Sequence, residues 1–134
     1  MLTAWGRVLQ NRKGQATVEL ALLLPIVLLI LFGIAEFGRA FAGYLALQHA
    51  AREGARLGAT GASDMEIIQR IYDSAPVLDP SRLSVTLVPA EGTRTSGDYL
   101  TVKLSYLFDF TIPIIQNITS SQASLQASLS ILVE

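Results

Sequence analysis

Glu19 stands at the start of a long apolar run, five positions after Gly14 and the basic pair Arg12-Lys13. An ionised carboxylate carried toward hydrocarbon is costly unless a cation pairs with it or its oxygens reach water. Two chemistries follow from its place. A pairing with a neighbouring cation would set one helix in register against another. Alternatively, the side chain reaches headgroup depth, which its position near the N-terminal edge of the run allows.

The other reactive residue types form no comparable arrangement. His49 is the single histidine and has no second histidine or cysteine beside it for a metal site. Serines are many, but none sits in a nucleophile–base motif. Glu53, Asp64 and Glu66 read as surface carboxylates rather than a catalytic pair. Asn117-Ile118-Thr119 matches a glycosylation acceptor pattern and is taken as coincidence. Cysteine is absent, which excludes disulfides and thiolate chemistry. The expectation is therefore a protein without enzymatic activity, metal or cofactor.

The elements that must position Glu19 begin with the apolar run itself. No charged residue occurs from Leu20 to Ala35. Lys13 and Glu36 bracket the stretch 14–35, which as a helix spans about 33 Å at ~1.5 Å per residue. A bilayer's hydrocarbon core is about 30 Å thick. Pro25 lies inside and loosens the helix locally, which membrane helices tolerate. Arg7, Arg12 and Lys13 precede the run and no acidic residue does, so the N-terminus is expected in the cytoplasm. The rival is a cleaved secretory signal. Ala40-Phe41-Ala42 fits a small-residue cleavage pattern, but Glu36 and Arg39 lie before it and the run is longer than such a core. Beyond Arg7, Arg12 and Lys13 no long basic patch occurs, which argues against nucleic acid as partner.

Helical periodicity continues beyond the run to about Leu57, with Gly58 and Gly61 as stop signals. Phe37, Phe41, Tyr44, Gln48, Ala51 and Ala55 share one face with Leu47 at its flank, and this face is expected to cover a sheet. Arg39, His49, Arg52, Glu53 and Arg56 lie round the other side, with Glu53 and Arg56 spaced to pair. Ser63 and Glu66 form a capping box for a second, short helix ending before Pro76. Three stretches then alternate with period two: Leu83 to Leu87, Leu100 to Phe108 and Leu125 to Val133, with 91–97 as a polar loop. The predicted fold is α+β, a long N-terminal helix packed on a small antiparallel sheet of about three strands.

Several stretches together resemble the type IV pilin superfamily, and more narrowly the TadE-like proteins of tight-adherence (Flp) pilus systems. "RKG" resembles a basic leader ending at the glycine that a prepilin peptidase recognises. "GQATVE" puts Glu19 at the fifth position after Gly14, where the superfamily carries its glutamate. "LPIVLLILFGIAEFGRAF" followed by "AAREGAR" resembles the TadE-like helix. Leu20 departs from the Tyr or Phe that usually follows the glutamate in Flp-type sites.

The resemblance implies a pilin-like fold and a function in assembly. Residues 1–14 would be a leader removed between Gly14 and Gln15, 15–35 the transmembrane helix, and 36–134 an extracytoplasmic helix plus β domain. Cleavage would free an α-amino group on Gln15, a cation for Glu19 of its own chain or of a neighbour. The implied role is a minor pilin or pseudopilin, single-pass in the cytoplasmic membrane and open to extraction into a surface filament. The implied partners are a prepilin peptidase, pilus platform proteins, other TadE-like subunits, the major pilin and the lipid membrane. The alternative is a single-pass anchored binding module that never polymerises.

Overall fold

The computed structural model describes residues 12–111 and 122–134, with side chains from Gly14 onward. The leader before Arg12, the side chains of Arg12 and Lys13, and the Asn117-Ile118-Thr119 pattern lie outside the described residues. The chain divides into two compact units, Met1–Ala35 and Glu36–Glu134. Helix α1, Arg12–Ala59, contributes residues to both.

In the first unit α1 is built from Leu, Ile and Val, and its large apolar side chains are exposed throughout, from Leu28 at 42% to Leu22 at 71%. Its most apolar window has nothing buried against it. Water would charge this surface roughly 25 cal/mol per Å² of apolar area, so lipid is its matching solvent. By length and composition the helix is able to cross a membrane. Pro25 sits within it.

The second unit holds the rest of α1, helix α2 (Asp64–Ser74), a short 3-10 turn at Pro80–Arg82, and strands β1 (Leu83–Val88), β2 (Tyr99–Asp109) and β3 (Gln122–Leu132). The sheet is antiparallel in the order β1-β2-β3. Val85 faces Leu104 across one ladder, and Leu104 faces Ala127 across the other. The predicted alternation holds: Leu100, Val102, Leu104, Tyr106 and Phe108 are buried between exposed or half-exposed neighbours. The α+β arrangement expected from the sequence is thus the one observed.

The face of α1 that packs on the sheet agrees with expectation at Leu47, Ala51 and Ala55, which are fully buried, and differs at the aromatic residues. Phe37, Phe41 and Tyr44 are 74, 52 and 38% exposed and cover nothing. Phe37 and Phe41 instead stack on each other, with centroids 6.4 Å apart. The buried face is Gly43, Leu47, Ala50, Ala51, Gly54, Ala55 and Gly58. It is rotated from the aromatic face by roughly a quarter turn, at ~100° per residue. Small residues let the helix backbone approach closely. A Cβ at Gly58 would lie 2.2 Å from Leu100 Cδ2, and Leu100 is fully buried. Gly58 is therefore a packing residue rather than a stop. The helix ends past it, and Gly61 makes the exit with φ of +75°. That conformation is cheap only for glycine.

Helix α2 starts as the sequence indicates. Ser63 Oγ accepts the Glu66 N–H, and Glu66 Oε2 accepts the Ser63 N–H at 3.0 Å. Ile67 and Ile71 are fully buried. The 91–97 loop is tied back to α2 by Arg94, which is 8% exposed and ion-paired with Asp64, while Glu91 Oε2 accepts the Asp64 N–H at 2.9 Å.

Candidate functional site

Gly14, Gln15 and Glu19 lie in the first two turns of α1, and all three are exposed. Gln15 and Glu19 are four residues apart, so they share one side of the helix, with the Glu19 side chain leaning toward the N-terminus. An amine placed at position 15 would stand about 6 Å along the axis from Glu19, at ~1.5 Å rise per residue. Among the described residues no other element packs on Glu19, which is exposed. These three residues are together by local geometry alone.

The second cluster was not foreseen in the sequence. Glu36 is the first residue after the apolar run and is only 6% exposed. Its Oε1 accepts the Thr111 N–H at 2.8 Å, and its Oε2 accepts from Arg39 Nη2 at 2.8 Å and Arg39 Nε at 3.2 Å. Arg39 Nη2 also donates to the Asp109 carbonyl at 2.5 Å, and the guanidinium lies over the Phe108 ring, 4.4 Å from its centroid. Phe108 meets Phe110 edge to face at 5.6 Å. Arg82 is ion-paired with the Asp109 carboxylate.

Burial opposes the Glu36 charge. The Arg39 and Thr111 hydrogen bonds and the Arg39 charge outweigh it, so the carboxyl sits below its ordinary value. The arrangement fastens the C-terminal end of β2 to α1. Arg39, placed by periodicity on the far side of the helix, instead flanks the buried face. The signal available beforehand was the i, i+3 spacing of Glu36 and Arg39; their link to β2 needed the fold.

Beside this cluster an open cavity of about 270 Å³ is lined by Arg39, Gly43, Leu78, Arg82, Tyr106 and Phe108. Its two arginines are already paired with acids, and no nucleophile–base pair lines it. Among the described residues no three His, Asp or Glu side chains gather as a metal site requires. His49 is exposed on α1. Farther along, Glu53 accepts from Arg56 at 2.9 Å and from Arg70 at 2.8 Å. Those two hydrogen bonds hold its carboxyl down to about 2.

The geometry is that of an exposed apolar helix with one carboxylate near its start, continued by a helix face of small residues under a sheet. No curated protein and no solved structure matches the chain. The family model of TadE-like proteins matches residues 14–56, which run from the glycine before the apolar segment, through Glu19 and the Glu36–Arg39 cluster, to Arg56. Over residues 14–56 the chain is similar to TadE-like proteins.

Proposed function

We propose that this protein is a membrane-anchored, pilin-like minor subunit or pseudopilin in the assembly of a tight-adherence pilus. The observation that carries the reading is the coincidence of the TadE-like match with an exposed apolar helical stretch that carries Gly14 and, five residues on, Glu19. The helix anchors the chain as a single pass, with the second unit outside the cytoplasm. A prepilin peptidase cuts after Gly14 and frees the Gln15 amine. Glu19 of one subunit then pairs with the amine of the next. In hydrocarbon such a pair both offsets the cost of the carboxylate and fixes the offset between two helices. Platform proteins, other TadE-like subunits and the major pilin are the partners of this step.

Co-expression with the cognate prepilin peptidase tests the reading. The chain shortens by the leader, N-terminal sequencing begins at Gln15, and Gly14→Ala stays full length. A chain that keeps Met1 beside an active peptidase contradicts it. A mature N-terminus at Gly43 would instead identify a secretory signal.

A further inference from the structure

Strand β3 has one edge paired with β2, and among the described residues no strand pairs with its other edge. Edge strands in proteins are commonly protected by a charge, a proline or a bulge. Gln122–Leu132 contains no charged residue and no proline. Its inner row is also incompletely covered. Leu125, Leu129 and Ile131 are half-buried, whereas Leu100, Val102 and Leu104 on the adjacent strand are buried.

The sequence of the strand indicates what fits there. Ser124-Leu125-Gln126-Ala127-Ser128-Leu129-Ser130 reads nearly the same in both directions about Ala127. Laid antiparallel against a copy of itself and centred on Ala127, the strand places Leu125 opposite Leu129 of the second copy. Ser124 falls opposite Ser130, and Gln126 opposite Ser128. Inner residues meet inner residues, outer meet outer, and no like charges oppose. A slip of one residue would set the leucines against serine or glutamine and break the match of faces. On the outer face, hydroxyls already bond across the sheet: Thr101 with Ser130 at 2.8 Å and Ser105 with Ser124 at 3.2 Å. Pairing at β3 continues that row.

We propose that β3 is a self-complementary edge through which two copies of this chain join into one six-stranded sheet. The contact uses the same patch on both chains, so it closes as a two-fold dimer. It buries the half-exposed leucines and supplies partners for a row of backbone groups.

The chain has no cysteine, so introduced pairs report cleanly. The test uses the full chain in membranes, carrying Ser124→Cys together with Ser130→Cys. Within one chain these positions lie ~20 Å apart along the strand, at ~3.3 Å per residue. Across the proposed junction they are directly opposite, about 4.5–5.5 Å between Cα atoms, which suits a disulfide. Mild oxidation should give a dimer of twice the chain mass with the double variant, and none with either single variant. Adding Gln126→Glu and Ser128→Glu should abolish it, because four carboxylates then meet. In the monomer both positions are exposed, and position 128 lies opposite Lys103. Co-expressing those chains with Gln126→Lys/Ser128→Lys chains in the same double-cysteine background should restore a mixed dimer, which a folding defect would not allow. The proposal is overturned by absence of dimer in the double variant, by equal dimer in the single variants, by dimer that survives the glutamates, by failure of the mixed rescue, or by adducts only to a protein of different mass.

Discussion

Glu36 and Thr111 stand 75 residues apart in the chain, and the Glu36 carboxylate accepts the Thr111 N–H at 2.8 Å. One side chain thereby ties the residue that follows the apolar run to the end of the central strand. It holds Arg39 at the same time. Glu36→Ala leaves the Thr111 N–H without its acceptor and the Arg39 guanidinium with the Asp109 carbonyl alone. The expected loss is about 1–3 kcal/mol, because the carboxylate is buried while Arg39 keeps access to water. Glu36→Gln keeps one acceptor oxygen and should lose less. Thermal unfolding of the full chain in lipid nanodiscs, followed by circular dichroism, reads both.

The packing face of α1 gives a paired prediction. Gly58→Ala drives a Cβ against the Leu100 side chain, which is fully buried and must shift within the core to admit it. Overpacking of this kind costs about 1–3 kcal/mol. Phe41→Ala removes a far larger side chain but one that is half exposed, and should shift stability by only about 0.5 kcal/mol. Unfolding midpoints that rank the two in the opposite order would restore the aromatic face as the cover of the sheet.

Acid should loosen the link between α1 and α2. The Glu53 carboxyl is held at about 2 by hydrogen bonds from Arg56 and Arg70, below its ordinary value of 4.5. A depressed carboxyl contributes stability that is present above its unfolded value and is lost as pH falls through the folded one. The contribution therefore disappears between about pH 4.5 and about pH 2. The unfolding midpoint of Glu53→Gln should change less over that window than that of the unaltered chain.

Much of this fold is legible in the sequence because its signals are local. The alternation from Leu100 to Phe108, the Ser63–Glu66 capping box and the uncharged run to Ala35 each announce their element. The rotation of α1 was not legible, since Phe37, Phe41 and Tyr44 dominate any measure of hydrophobicity while glycines and alanines contribute little to it. A close-packed helix needs those small residues, and only the position of Leu100 and Ile71 makes the need visible. Gly58 misled for the same reason, reading as a breaker where the fold uses it as a contact. Burial of Glu36 depended on Asp109 and Thr111 arriving from the far end of β2. That residues 15 and 19 share one side of a helix was readable because the spacing is local.

The central claim is that Glu19 acts in assembly through its charge, after processing at Gly14. The most direct measurement crosslinks Glu19→Ala, Glu19→Gln and Glu19→Asp variants to other pilin-like subunits in the host membrane and counts surface filaments alongside. The account predicts that Glu19→Ala and Glu19→Gln are cleaved and inserted normally yet lose both crosslinks and filaments, while Glu19→Asp keeps part of each. Wild-type crosslinking and filament numbers in Glu19→Ala would contradict it, and would leave Glu19 as a carboxylate resting at headgroup depth.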